Sequence, residues 1–158
     1  MVTAVTIILV NWNGATDTLE CFKSLLNVLY ARFNIIIVDN ASTDNSVCEF
    51  TNTFLSYFNE SYEIIFKNYH ATMYTKPQPS QKNNVTNLVL IKCNANLGFA
   101  KGNNLGILFT KRYFGSEYVL LLNNDTVVDP FFLDALITAV QNNEKIGIAG
   151  PKIYYYDN

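Results

Sequence analysis

The chain reads IIIVDNAS from Ile35 to Ser42, an unbroken β-branched run that stops at an acid and a polar turn. Such runs are typical of strands that are buried on both faces of a parallel sheet. The stretch therefore predicts a central strand that ends at Asp39, with polar residues directly beyond its carboxyl end.

Two further apolar runs end in the same way. Val5–Val10 leads into the residues NWN at 11–13, and Tyr118–Leu122 leads into NND at 123–125. Leu88–Ile91 predicts one more strand, which precedes a segment rich in glycine and asparagine at 94–104. In parallel α/β sheets ligands bind beyond the carboxyl ends of the strands, so we expect these polar segments to share one rim.

Apolar residues at three- and four-residue spacing predict a helix after each of these strands. A capping box at residues 17–20 predicts the start of the first helix, and Pro130 suits the first turn of the last one. The apolar residues of the four helices are Leu19, Phe22, Leu26 and Leu29, then Val47, Phe50, Phe54 and Tyr57, then Leu105, Leu108 and Phe109, and finally Leu133, Leu136, Ile137 and Val140.

Strands that alternate with helices predict an α/β fold with a mostly parallel sheet and helices on both faces. We expect residues 1–158 to form a single domain, with a short strand at Tyr62–Phe66 and a flexible loop at 68–87. Ile146–Ala149 and Ile153–Tyr156 are further short strand candidates.

The composition narrows the class of protein. Hydrophobic residues make up 49% of the 158 residues and the formal net charge is -2, which argues against nucleic acid as a partner. No apolar run approaches the ~18 residues of a membrane span, and no secretory signal opens the chain. The three cysteines lie far apart, so we expect reduced thiols and a cytoplasmic protein.

Two acids at strand ends have functional interpretations, each with a structural alternative. Asp39 stands at the edge of the core, where it could accept a hydrogen bond from a base imide N–H or merely cap its turn. Residues 123–125 offer one carboxylate and two amide oxygens, a hard ligand set for Mg²⁺ or Mn²⁺ that also binds substrate phosphate. Their alternative is an Asx turn at the end of a strand.

The segment from Asn96 to Asn104 reads NLGFAKGNN at a strand-to-helix junction, where backbone amides favour anions. It matches neither the dinucleotide fingerprint nor the P-loop. Lys101 either touches a phosphate or is a solvated lysine. Trp12 either stacks on a ligand base or closes the edge of the core.

Taken together, four segments resemble the nucleotide-sugar-binding part of glycosyltransferase family 2, the inverting enzymes of GT-A fold, in a rhamnosyltransferase-like subgroup. The four segments are Val10–Asn13, Val38–Asp44, Asn96–Asn104 and Leu122–Asp125. The resemblance implies a UDP- or dTDP-sugar donor and a glycan or lipid-linked acceptor. It also implies peripheral membrane association of the full-length protein, at the inner face of the membrane.

The resemblance assigns roles to individual residues. Asp39 reads the pyrimidine base, main-chain groups near Val10 and Trp12 hold the ring, and Asp125 binds the divalent cation, Mg²⁺ or Mn²⁺. Asn123 stands where the family's D-x-D motif has its first acid, which lowers the charge of the site. The residues expected to contact the nucleotide-sugar are Val10, Trp12, Asn13, Asp39, Asn40, Asn96, Gly98, Asn103, Asn104, Asn123 and Asn124.

The family's general base follows its metal motif, and beyond Pro151 this chain holds one acid, Asp157 at the terminus. We therefore assign no catalytic residue, expect the base beyond Asn158, and interpret the chain as the donor-binding part of a glycosyltransferase that can be inactive alone. The alternatives are a non-catalytic nucleotide or protein binding module and a nucleotidyltransferase. The latter is disfavoured because residues 11–14 lack its Gly-rich, basic loop.

Overall fold

A computed structural model of the chain describes residues 4–58, 60–75 and 84–155. The described residues form six strands and four helices. They are β1 (Val5–Asn11), α1 (Ala15–Leu25), β2 (Phe33–Asp39), α2 (Ser46–Tyr57), β3 (Glu60–Phe66), β4 (Tyr69–Thr75), β5 (Val85–Lys92), α3 (Phe99–Tyr113), β6 (Tyr118–Leu121) and α4 (Phe132–Gln141).

The strands form one sheet in the order β3-β4-β5-β2-β1-β6. Its four consecutive strands from β5 to β6 are parallel, and β3 and β4 add an antiparallel hairpin at the other edge. The predicted α/β fold with a mostly parallel sheet is confirmed. From β1 the chain adds β2 and β5 on one side, and β6 is then added on the other side of β1. The loops after β1 and β6 therefore lead away from each other and leave a crevice between them.

Alternate residues of the central strands bury into two separate cores. Ile7 and Ile35 face a core that α1, α2 and α4 cover, whereas Ile8 and Ile36 face the core under α3. Helix α3 lies very close to β1, since a Cβ on Gly106 would stand 2.7 Å from Cγ2 of Ile8. Burial on both faces is the physical reason for the unbroken β-branched runs.

The prediction of a flexible loop at 68–87 is wrong for residues 69–75 and 85–87. Tyr69–Thr75 is strand β4, and residues 85–87 belong to β5, while 76–83 lie outside the described residues. Strand β4 joins the predicted short strand at Tyr62–Phe66, confirmed as part of β3, through a turn at Lys67 and Asn68. Both turn residues have positive φ, 48° and 68°, which is the conformation of a tight two-residue hairpin.

Three smaller predictions are also wrong. Helix α1 begins at Ala15 without a side-chain cap, and it ends before Leu29, which is exposed. The backbone of Leu29 instead donates to the carbonyl oxygen of Pro130. Residues 146–149 and 153–155 form no strand, because nothing among the described residues pairs with them, and Tyr156 lies outside that part of the chain.

Candidate functional site

The polar segments that follow the parallel strands meet at one rim of the sheet. Asn11 lies opposite Asp39 in the ladder between β1 and β2. The amide of Cys93 donates to the carbonyl oxygen of Asp39 over 2.9 Å, and the amide of Leu122 donates to that of Ile8 over 3.0 Å. The shared rim expected from the sequence is therefore present.

Asp39 is only 2% exposed, and both of its carboxylate oxygens accept hydrogen bonds. Oδ1 accepts from Nδ2 of Asn11 at 2.9 Å, and Oδ2 accepts from the amide of Ser42 at 3.1 Å. The second bond is the turn-capping role foreseen as the alternative. A carboxylate has about four acceptor positions, so these two bonds leave capacity for a ligand N–H.

Asn13 joins the loop after β1 to the loop after β2. Its backbone has φ 53°, its amide donates to Oγ of Ser42, and its Oδ1 accepts from the amide of Thr43 at 2.7 Å. Its neighbour Trp12 is 59% exposed on the rim, so the alternative in which Trp12 closes the core is wrong. The alternative in which its indole stacks on a ligand base stays a prediction.

Asn40 and Asn96 clamp the loop after β5 against the end of β2. Nδ2 of Asn40 donates to Oδ1 of Asn96, and Oδ1 of Asn40 accepts from the amide of Leu97, both at 2.8 Å. Oδ1 of Asn96 also accepts from the amide of Gly98, whose φ is 78°. Both side chains thus shape the rim, and Gly98 supplies the left-handed backbone that begins α3.

The beginning of α3 divides its predicted contact residues into two kinds. Asn103 is buried and its Nδ2 donates to the carbonyl oxygen of Phe99, so its side chain belongs to the helix packing. Asn104 and Lys101 are exposed. Val10 lies beneath this turn, where a Cβ on Gly102 would stand 3.0 Å from its Cγ1.

The turn at 123–125 is partly open to solvent. Asn123 and Asp125 are exposed and Asn124 is partly buried. The carbonyl oxygen of Asn123 accepts from Oγ1 of Thr126 at 2.7 Å and from the Cys21 thiol at 3.8 Å. Burial raises the pKa of Cys21 to about 11, and the charge of nearby Asp125 adds to the rise. The thiol under this turn is therefore neutral at pH 7.

The oxygen set of this turn fits a cation that it would share with a substrate. Mg²⁺ and Mn²⁺ are commonly held by one or two carboxylates together with phosphate oxygens, rather than by an all-protein cage. No group of three His, Cys, Asp or Glu side chains comes together in the described part of the chain. Asp125 and the neighbouring amides match the shared kind of site.

Three rim residues were missed as site residues by the sequence analysis. Asn11 and Thr18 are fully buried, and Ser42 is partly buried. Asn11 ends an apolar strand just as Asp39 does, and that signal could have identified it. Thr18 was interpreted as part of a capping box, but its hydroxyl donates to Oδ1 of Asn11 over 2.8 Å.

Two further expectations concern membrane-spanning helices and the acid near the end of the sequence. No helix there is both long and apolar enough to span a bilayer. Asp157, the one acid beyond Pro151, lies outside the described residues.

Comparison with known proteins gives a family match over part of the chain. The sequence model of glycosyl transferase family 2 matches residues 6–68, which include β1 from its second residue onward and all of β2 with Asp39. No curated protein matches the chain.

Solved structures match over most of the chain. S. aureus TarS 1-349 is 15% identical with a TM-score of 0.60, and the match covers 95% of this chain and 39% of that one. The same protein with UDP-GlcNAc is 15% identical with a TM-score of 0.58, over 95% and 37%. The mannosyltransferase PcManGT from Pyrobaculum calidifontis, in complex with GDP-Man and Mn²⁺, is 17% identical with a TM-score of 0.61, over 86% and 32%.

These likenesses establish the GT-A fold for the chain. The chain spans about two fifths or less of the length of the structures that it matches.

Proposed function

We propose that this chain is the donor-binding part of a family 2 glycosyltransferase, an inverting enzyme that transfers a sugar from a UDP- or dTDP-sugar to a glycan or lipid-linked acceptor. One observation carries the proposal. Asp39 and the turn that bears Asp125 lie on the same rim of a GT-A sheet, connected by three successive hydrogen bonds through Asn11 and Thr18.

Asp39 recognises the base in this proposal. A buried carboxylate at the edge of the core accepts the imide N–H of uracil or thymine, and partial desolvation strengthens that bond. Main-chain groups near Val10 and the exposed ring of Trp12 hold the base, while Asn13, Asn40 and Asn96 keep the surrounding loops in place.

The diphosphate lies between the turn at 123–125 and the start of α3. Asp125 holds Mg²⁺ or Mn²⁺, Asn123 and Asn124 lie near the ribose and diphosphate, and Gly98 and Asn104 border the sugar. A bound cation offsets the negative charge that builds on the departing nucleoside diphosphate. The backbone amides at the beginning of α3 favour the same anion.

The ligands named for the similar structures support a nucleotide-sugar as the donor without distinguishing its base. One was solved with GDP-Man and Mn²⁺ and another with UDP-GlcNAc. The proposal assigns no general base to this chain. Acceptor binding and the complete reaction therefore require other residues of the parent protein.

Calorimetry with UDP, dTDP and GDP tests the proposal. We expect UDP or dTDP to bind about tenfold or more tightly with Mn²⁺ than with a chelator, since the cation bridges the diphosphate to Asp125. The Asp125→Ala variant should lose this increment, whereas Asp134→Ala, which removes an exposed acid on α4, should keep it. Equal affinity with and without Mn²⁺ in the unmodified chain would refute the metal site, and a preference for GDP would refute the pyrimidine assignment.

A donor hydrolysis assay separates the proposed enzyme from its two rivals. Slow release of free nucleoside diphosphate from the sugar nucleotide supports a transferase and counts against a pure binding module. Release of pyrophosphate from a nucleoside triphosphate and a sugar phosphate would instead indicate a nucleotidyltransferase.

A further inference from the structure

A continuous series of hydrogen bonds runs along the rim from Asp39 to Asn124, the residue before Asp125. Nδ2 of Asn11 donates to Oδ1 of Asp39 at 2.9 Å, and Oγ1 of Thr18 donates to Oδ1 of Asn11 at 2.8 Å. Nδ2 of Asn124 then donates to Oγ1 of Thr18, also at 2.8 Å. We call these four residues the rim relay.

Every bond of the rim relay has a fixed direction. Ionised Asp39 can only accept, so Asn11 must present its NH₂ group to Asp39 and its carbonyl oxygen to Thr18. The Thr18 hydroxyl must therefore donate to Asn11, and its lone pairs are left to accept from Asn124. The charge of Asp39 thereby fixes the orientation of the Asn124 side-chain amide, whose NH₂ group points to Thr18. Asn124 is the neighbour of Asp125 in the sequence.

Burial makes this arrangement rigid. Asn11 and Thr18 are fully buried, so water does not compete for their polar groups. Gly14 borders the same spot, because a Cβ there would stand 3.2 Å from Nδ2 of Asn124 and 3.4 Å from Oδ1 of Asn11. The lack of a side chain at Gly14 thus lets Asn124 reach into the relay.

We propose that Asn11 and Thr18 are positioning residues that couple the nucleoside end of the site to the metal end. The relay turns the NH₂ group of Asn124 toward Thr18 and so leaves the amide oxygen of Asn124 for a cation beside Asp125. The metal-dependent part of nucleotide binding therefore depends on the bonds from Asp39 through Asn11 to Thr18. The coupling rests on the proposed function. It adds two residues that touch neither ligand but set how much the metal strengthens nucleotide binding.

The test measures UDP affinity with saturating Mn²⁺ and with chelator, and takes the ratio of the two. Thr18→Val keeps the size of the side chain but breaks the relay, so we expect this ratio to fall about fivefold or more, within the usual range of coupling between sites. The chelator affinity should change by less than about twofold, because Asp39 keeps both of its own donors. Thr18→Ser retains the hydroxyl and should restore the ratio.

Asn124→Ala breaks the relay at the rim without leaving buried Asn11 unpaired, but it also removes an amide of the metal turn, so it serves as the background for a double-variant test. It should lower the ratio as Thr18→Val does, and combining both changes should lower it no further. Thr18→Ala, which also removes the hydroxyl, carries the test if Thr18→Val does not fold.

The outcomes separate the two proposals. No Mn²⁺ increment in the unmodified chain overturns the proposed function and the coupling together. A normal increment that survives in Thr18→Val, or in Thr18→Ala where that variant replaces it, overturns the coupling alone. An equal loss of affinity with Mn²⁺ and with chelator also overturns it, since a merely structural role predicts that result.

Discussion

The two ends of the rim are built differently. At the proposed nucleoside end, Asp39 is 2% exposed and both of its oxygens are bonded by Asn11 and Ser42. At the proposed metal end, Asp125 is exposed, and its carboxylate has no hydrogen-bond partner among the residues that the structure describes. The first acid is held by the fold itself, whereas the second is in contact with solvent.

The largest expected effect comes from breaking the buried end. Asp39→Ala removes two hydrogen bonds to a buried carboxylate, leaving Nδ2 of Asn11 with only Oγ of Ser42 at 3.0 Å and the amide of Ser42 without that acceptor. We therefore expect the free energy of unfolding to fall by about 2–4 kcal/mol. Urea denaturation measures this loss. Nucleotide affinity with chelator should fall as well, because the base then has no carboxylate to bond.

Asp125→Ala is the matched change at the open end. It should alter the free energy of unfolding by less than about 0.5 kcal/mol, as exposed substitutions usually do. A similar loss of stability in both variants would show that the two ends do not differ in the way described here.

A substitution in the packing between α3 and β1 should change the free energy of unfolding by a smaller amount, and it leaves both acids in place. Gly106→Ala would bring a Cβ to 2.7 Å from Cγ2 of Ile8, so the helix that carries Asn104 must shift. We expect a loss of about 1–3 kcal/mol in the free energy of unfolding, typical of overpacking.

Gly98→Ala serves as the contrast to Gly106→Ala. A Cβ there meets no atom within 4 Å but adopts a φ of 78°. Its ψ of 166° lies in a backbone region that is essentially restricted to glycine, so we expect a loss of about 1–3 kcal/mol in the free energy of unfolding from strain alone. A loss of less than about 0.5 kcal/mol in Gly106→Ala would contradict the close contact between α3 and β1.

Two buried thiols, one near each end of the rim, should make the stability of the fold depend on pH. Burial raises the pKa of Cys21, under the metal turn, and of Cys93, beside Asp39, to about 11 from 9.0. The unfolded chain therefore loses these protons at lower pH than the folded chain does. Stability should be unaffected by these thiols below pH 9 and should decline between about pH 9 and 11.

Denaturation at several alkaline pH values checks this decline. The slope of stability against pH should be shallower in Cys21→Ala and in Cys93→Ala, and unchanged in Cys48→Ala, whose thiol is exposed. An unchanged slope in both of the first two variants would mean that those thiols are not buried.

The periodicity of the sequence predicted the frame of the molecule because burial on both sheet faces imposes the pattern directly. The runs at 5–10, 35–38 and 118–122 became β1, β2 and β6, and their polar ends met as the parallel topology requires. The hairpin of β3 and β4 was not foreseen in full. Its turn at Lys67 and Asn68 lacks glycine, although both residues adopt positive φ.

The inner part of the site could not be predicted, because it depends on contacts between distant positions. Thr18 looks like a helix cap in sequence, yet its hydroxyl points to Asn11, and Asn124 reaches it from 106 residues away. Asn40, Asn96 and Asn103 were expected to contact the donor, but their side chains bond the protein's own loops and helix. Sequence alone does not distinguish an amide that binds a ligand from one that shapes the rim.

The most direct test of one converged site is paramagnetic broadening of backbone amide signals by Mn²⁺ and UDP together. If the strand ends hold a single metal-nucleotide complex, signals from residues 123–126 should disappear and those from 39–42 should weaken. Signals from Arg32 and Thr86, at the opposite end of the strands, should stay sharp, and Asp125→Ala should abolish the effect. Broadening centred away from residues 123–126, or equal broadening at both ends of the sheet, would contradict the account.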